Sequence, residues 1–453
     1  VNRPLALAAS VTGAMVVALD GTCLTVAQPT LRRELGASLD QVQWTSTGYL
    51  IAVAGLLVFA GRLGDRYGHR RMFAIGMLGF GAASAGLVVA PGIGWVIGLR
   101  VVQGVFGALL QPAGLGMLRA AYPPDLLRTP LAVRTAAIGI AAAAGPVLGG
   151  ALATAYGWRA VFVLTLAPTL VFGLLALAVR EADTPRPSTP LDLPGALLLA
   201  VTLASLVHAL VTLTASTAVL GVAAALAFVR HERRTSTPLL PPDVAVGAGL
   251  TVLMTASATL NGGLFACVYL LQGDLGLTPF HSALLSLPLA VALIGSAPVC
   301  AMLLKRAGSR RTTAGAIALL AAGLLVLAGA SAQAVFCVGF ALVGAGFGAV
   351  MVAGTHVVVK EAPVAFAGVA GGLQQTAMNV GPVLGVAVAT VLMGSARVPL
   401  VVLAGLTVLA VPVCRMLPGQ APRIASHTGH PTLPRTTRSD APHTRHTSER
   451  GSL

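Results

Sequence analysis

The chain has 453 residues, of which 56% are hydrophobic and only 9% charged, and its mean hydropathy is +0.86. Its apolar runs are continuous and rich in Ala, Leu, Val and Gly, which excludes both a water-soluble core and the alternating strands of a β-barrel. The net charge of +15 would suggest nucleic acid as partner of a soluble protein, but here the basic residues fall in short stretches between apolar runs, where they set topology, and no nucleic-acid partner is expected.

A helix needs about 20 apolar residues to cross about 30 Å of hydrocarbon. On that basis spans are predicted at 5–27, 44–61, 72–90, 93–118, 131–155, 159–179, 193–210, 214–229, 245–271, 282–304, 312–330, 333–357, 364–393 and 398–417, about fourteen in all. The first resembles a signal peptide in its apolar character, but it carries Asp20 and has no small-residue cleavage site, so it reads as a span. A carboxylate or guanidinium at mid-depth costs on the order of 3 kcal/mol, which makes each one a functional candidate. Asp20 lies about four turns into this span and is followed by Gly21 and Thr22, which can face a cavity. Burial disfavours a charged carboxylate, so such a group can take up and release a proton.

Between the second and third spans stands GRLGDRYGHRR, Gly61 to Arg71, a strongly basic stretch with the glycines of a tight turn. The fourth span carries Arg100, with Gln103 one turn later on the same face and Gly104 and Gly107 permitting close helix contact. A buried guanidinium needs a partner, and Asp20 is the only acid deep enough, although a backbone carbonyl could serve instead. Two blander readings remain open at this point: Asp20 anchoring the outer end of its span, and Arg100 snorkelling to the interface. The fifth span combines Gly145, Pro146, Gly149 and Gly150, a proline kink with small faces.

Residues 193–229 must cross an even number of times. A single crossing would put the basic loop at 305–311 on the side that otherwise receives only Arg32, Arg33, Arg159 and Arg397. Both termini are then cytoplasmic. The chain also repeats: Gly145-Pro146-Val147-Leu148-Gly149 recurs as Gly381-Pro382-Val383-Leu384-Gly385, and Arg70-Arg71 recurs as Arg310-Arg311, at offsets of 236 and 240. This divides the chain into a six-helix bundle over 1–180, a linker with a two-helix hairpin over 181–243, a second six-helix bundle over 244–417 and a disordered cytoplasmic tail over 418–453. The tail's His427, His430, His443 and His446 lack the framework of a metal site, and no metal or other cofactor is expected. Five scattered cysteines, Cys23, Cys267, Cys300, Cys337 and Cys414, read as free thiols.

These motifs resemble those of the major facilitator superfamily. GRLGDRYGHRR matches its loop motif between spans two and three, LRVVQG its fourth-span motif, and AAAAGPVLGGAL its fifth-span antiporter motif. LDGTCLTVAQPTL, Leu19 to Leu31, is similar to the first-span motif of the fourteen-span drug:proton antiporters. Trp158-Arg159 with Phe162, Asp192 with Gly195, and His231-Glu232 before Pro238-Leu239 also resemble that family. The chain departs from it at Thr25, where asparagine is usual, at Gln28, where leucine is usual, at Ala141, where glycine is usual, and at Lys305 to Arg311, which lacks the aspartate.

The resemblance implies an all-α polytopic membrane protein of the major facilitator fold, alternating access, and proton-coupled efflux of amphipathic drugs, antibiotics or related metabolites. The proton would be the coupling ion, with Asp20 and Arg100 as coupling residues. Gly61, Gly64, Asp65, Arg66, Gly68, Arg70 and Arg71 would form a cytoplasmic gate, Asp65 capping a helix N-terminus or meeting an arginine across the bundle interface and the arginines meeting carbonyls or lipid phosphates. Cavity candidates are Gln28, Tyr49, Gln103, Gln111, Asn261, Phe265, Tyr269, Gln374, Gln375 and Asn379. The expected setting is the inner membrane of a bacterium, with membrane lipid and a small amphipathic molecule as partners and the chain acting as a monomer. A uniporter or importer of the same fold without proton coupling is the alternative. A membrane-embedded enzyme or receptor is a remote one, since His208 and His356 have no catalytic partner at motif spacing.

Overall fold

The computed structural model describes residues 2–123, 126–177, 192–212, 214–235, 247–361 and 367–416. The expected tail over 418–453, with its histidines, and most of the linker ahead of the hairpin lie outside the described residues. Among the described residues thirteen α-helices follow one another: α1 (Arg3–Leu35), α2 (Leu39–Tyr67), α3 (His69–Val88), α4 (Ile93–Ala121), α5 (Arg128–Tyr156), α6 (Arg159–Ala176), α7 (Leu193–Thr212), α8 (Ala215–Glu232), α9 (Ala248–Tyr269), α10 (Pro279–Gly329), α11 (Gln333–Glu361), α12 (Ala367–Val391) and α13 (Arg397–Leu409). A π-helical turn, Leu270–Asp274, extends α9. At 51 residues α10 is about twice the length a bilayer needs. It breaks at Gly308 (φ 78, ψ 167), so each of the fourteen predicted spans falls on one helix or on one half of α10. Among the described residues nine helices are long and apolar enough to cross a membrane, or ten with the bent pair Leu39–Leu57 and Phe59–Tyr67 as one span.

Local chemistry sets the ends. Ser38 caps α2 in a reciprocal capping box with Gln41, and Thr278 caps α10 ahead of Pro279. Gly36, left-handed at φ 58, ends α1. The basic stretch at 61–71 is not the loop the sequence suggests. Helix α2 runs through it to Tyr67, α3 starts at His69, and Gly68 alone (φ 97, ψ 130) makes the break. Gly64 serves close packing instead of the turn, since a Cβ there would lie 2.5 Å from His69 Nδ1.

The repeat is built into the packing. Gly149 presses on the Cys23 backbone of α1, and Gly385 presses on the Ala258 backbone of α9. The same relation joins Gly104 to the Tyr49 carbonyl and Gly344 to the Leu289 carbonyl, each pair offset by 240. The breaks at Gly68 and Gly308 are a third such pair. Two six-helix bundles, α1–α6 and α9–α13 with α10 counted twice, therefore use the same glycine seams. Between them α7 packs on α8 and also on α2 and α12, where Leu203 and Val207 share a buried cluster with Ile51, Ala54, Val383 and Ala387. All five cysteines are free; Cys23 donates to the Gly145 carbonyl (3.1 Å) and Cys300 to the Ala349 carbonyl (3.3 Å) across helix contacts.

Adding a side chain at a seam forces the helices apart. Gly149→Val and Gly385→Val should each lower stability by about 1–3 kcal/mol, read as a drop in the thermal midpoint of detergent-purified protein. Gly315→Ala, where the added atom meets open space, should leave the midpoint in place.

Candidate functional site

The two deep charges of the first bundle meet. Arg100 Nη1 lies 2.5 Å from Asp20 Oδ2, with the side chains 1% and 0% exposed. Both side chains lie within the helix packing and face each other. The guanidinium also donates through Nε to the Thr45 carbonyl (2.9 Å) and through Nη1 to Gln103 Oε1, so carboxylate and carbonyl both serve where the sequence offered them as alternatives. Gln103 Nε2 donates to Asp20 Oδ1 (3.1 Å) and to Ser84 Oγ (2.8 Å), and Thr165 Oγ1 donates to Ser84 Oγ (3.1 Å). The Tyr49 ring sits 4.3 Å from the Arg100 carbon centre and adds a cation–π contact. Five helices thus converge on one charge pair, and each contact offsets part of the cost of burying it.

Beside the pair, between the two bundles, lies a cavity of about 230 Å³. The first bundle supplies Gly21, Thr22, Thr25 and Gln28 of α1, Ser46 and Tyr49 of α2, Arg100 and Pro146; the second supplies Asn261, Phe265, Ser282, Ser286, Phe340 and Val386. Arg100 lines it, and Asp20 does not. Gln28 Nε2 donates to Ser46 Oγ (2.8 Å), while Gln28 Oε1 and Tyr49 Oη are buried without a hydrogen-bond partner.

Four of the expected cavity residues, Gln28, Tyr49, Asn261 and Phe265, are on its wall. Gln103 is not, because it is spent on the charge pair. Gln374 turns to Thr355 Oγ1 (2.7 Å), and Tyr269 is buried beneath Arg32, 5.9 Å from its ring. Gln111, Gln375 and Asn379 also lie off the lining, the first two half-buried and the third buried. Ser46, Ser282, Ser286 and Phe340 were missed by the sequence reading. A helical stripe did mark part of the wall: Ala18, Gly21, Thr22, Thr25 and Gln28 recur every three or four residues along α1.

The bundles are bound together at the end away from the basic turns. Gln272 Nε2 donates to the Val26 carbonyl (2.9 Å) and Ser282 Oγ (3.0 Å), and Phe280 N donates to Thr154 Oγ1 (3.2 Å). At the basic end Asp65 is half-exposed and pairs with His69, one turn on (3.3 Å). Among the described residues His69, just past the one-residue break, is the ion-pair partner of Asp65. Arg70 donates to the Leu177 carbonyl (3.0 Å), Arg66 stacks on Tyr67, and Arg71 is exposed. At the base of the hairpin Asp192 accepts from Gly195 N (3.0 Å) and bonds His231 Nε2 (2.7 Å), tying α7 to α8.

Comparison with known proteins agrees with this architecture. The family described as Major Facilitator Superfamily matches residues 11–373 and 248–445. The tetracenomycin C resistance and export protein of Streptomyces glaucescens is 38% identical over 86% of this chain and 76% of its own. The puromycin resistance protein pur8 of Streptomyces alboniger is 34% identical over 82% and 78%. A crystal structure of the peptide transporter POT in complex with sulfate superposes with TM-score 0.67 at 17% identity, over 91% of this chain and 96% of that one, a likeness of fold.

Removing one member of a buried ion pair leaves the other uncompensated, at about 3–5 kcal/mol. Arg100→Met should therefore destabilise the purified protein more than the double replacement Asp20→Leu/Arg100→Met, as measured by thermal midpoints in one detergent.

Proposed function

Since the chain belongs to the major facilitator superfamily and is a multi-pass membrane protein, we propose that it exports amphipathic organic compounds, antibiotics or related metabolites, in exchange for protons. The observation that carries this reading is the buried Asp20–Arg100 pair, whose arginine lines the cavity between the bundles. A carboxylate that a proton can neutralise, held against the guanidinium that lines the cavity, gives protonation a direct way to alter the substrate site. Each proton entering down 100 mV supplies about 2.3 kcal/mol. The likeness to the tetracenomycin C and puromycin resistance proteins supports the substrate class.

In this reading the conformation described is closed at the end where Gln272 and Phe280 bind the first bundle. The positive-inside rule makes that the external end and the turns at Gly68 and Gly308 cytoplasmic. Asp65, paired among the described residues with its neighbour His69, is then a gate residue in its disengaged state. The protein works as a single chain in the inner membrane of a bacterium. Its alternating access moves the bundles about the cavity, with Gly145, Pro146, Gly149 and Gly150 as the seam of α5 against α1 and α10.

Expression in a pump-deficient bacterial strain should raise resistance at least fourfold to one or more members of an antibiotic panel that includes tetracenomycin C. In everted vesicles the same compound should partly discharge a preformed pH gradient, and Asp20→Asn at equal membrane levels should abolish both effects. Substrate movement indifferent to the gradient would favour a uniporter. Coupled efflux that survives in Asp20→Asn would remove Asp20 from the mechanism.

A further inference from the structure

We infer that the substrate is uncharged, with a flat apolar body and a hydrogen-bond donor read by Gln28, and that a proton displaces it by charging the cavity wall and not by competing for a contact. This rests on the export reading above and goes beyond it by fixing the substrate's charge and the way coupling is transmitted. The starting point is an asymmetry within the pair: Arg100 lines the cavity, and Asp20 lies behind it. Among the described residues Arg100 is the only charged side chain on that wall, since the second bundle contributes amide, hydroxyl, thiol, aromatic and aliphatic groups. While Asp20 is ionised the pair is neutral, so the wall offers a cation no carboxylate to meet and presents it with the guanidinium side of the pair.

The unpartnered polar groups of the lining residues are neutral. Gln28 is 1% exposed; its Nε2 is committed to Ser46, and its Oε1 can only accept. Tyr49 Oη also has no hydrogen-bond partner, and its ring already covers Arg100. Leaving such buried groups unpaired is costly, so a ligand that supplies an O–H or N–H to Gln28 recovers that cost. Phe265 and Phe340 give its body an aromatic surface on the opposite bundle.

Protonating Asp20 changes the sign of the wall. The titratable groups around it are Arg100 on α4, Tyr49 on α2, Cys23 on α1 itself and Cys267 across the cavity on α9, and none is an acid that could replace it. The facing parts of α5, α6 and α10 contribute Gly145, Gly149, Thr165, Ser282 and Ser286, all uncharged. The guanidinium then needs water from the cavity it lines, and water in the cavity excludes an apolar uncharged molecule. Proton and uncharged substrate are thus mutually exclusive, as exchange requires. An anion would instead bind together with the proton, giving coupling of the opposite sign.

The test uses fluorescent probes of one scaffold, 2-naphthol, 2-naphthoate and trimethyl(2-naphthyl)ammonium, titrated onto the purified full chain. At pH 8 naphthol should bind at least tenfold more tightly than the ammonium compound. In Asp20→Asn, a mimic of the protonated acid, naphthol should weaken at least tenfold and naphthoate should tighten. Asp20→Ser, which also removes the carboxylate charge, should do the same, which keeps the test independent of how one variant folds. Gln28→Leu should weaken naphthol and leave 2-methoxynaphthalene, which has no donor, unchanged. An ammonium probe bound as tightly as naphthol, or naphthol affinity unaltered by both Asp20→Asn and Asp20→Ser, would overturn the inference. Proton-coupled efflux of a cation from vesicles would overturn it while leaving the export reading intact, whereas probes binding in the expected order to a protein that moves nothing would sink the export reading alone.

Discussion

Arg100 keeps its charge inside an apolar bundle only because Asp20 and the Thr45 carbonyl meet it there. Much of the first bundle is arranged around that requirement. Gly104 on α4 lets the Tyr49 backbone approach so closely that a Cβ would lie 2.5 Å from its carbonyl oxygen, and Gly107 leaves room for the Tyr49 hydroxyl. With α2 drawn in this far, the Thr45 carbonyl reaches Nε and the Tyr49 ring covers the guanidinium. Gln103, Ser84 and Thr165 then fix the far side of the carboxylate through α3 and α6. A pair tied to five helices cannot lose its charge balance without consequence for how those helices sit, which is why it suits a coupling role.

The second bundle repeats the scaffold without the charges. The offset of 240 that takes Gly104 to Gly344 and Tyr49 to Leu289 takes Arg100 to Phe340, and the offset of 236 takes Asp20 to Ala256. Identical seams therefore carry an ion pair on one side of the cavity and an aromatic ring on the other. The turn at Gly308 likewise keeps the geometry and the arginines of the turn at Gly68 but has no counterpart to Asp65. One half is built to respond to a proton and the other to present a neutral surface.

Much of this was legible in the chain because a membrane makes polar residues scarce. Apolar run length located all fourteen segments, parity required the hairpin at 193–229, and scarcity singled out Asp20 and Arg100 as partners. What escaped depends on helix rotation, which composition does not encode. Gln103 and Gln374 carry the same group as Gln28, yet they satisfy it on Asp20 with Ser84 and on Thr355, whereas Gln28, a lining residue, keeps an oxygen without a partner. Ser46 and Ser286 escaped because hydroxyls commonly bond back to their own helix, as Ser286 does to Ala283 (2.8 Å). The basic stretch at 61–71 looked like a loop because glycine and charge signal turns in water, but at a membrane surface a helix can run through such residues and turn at Gly68 alone.

The central claim, that substrate and proton exclude each other through the Asp20–Arg100 pair, is tested most directly by counting protons. Substrate added to unbuffered, detergent-purified protein across a series of decreasing pH values should release up to about one proton per chain, followed with a pH dye, and Asp20→Asn should release none at any of them. Absence of release on binding to the unsubstituted protein, or an equal release from Asp20→Asn, would contradict the account.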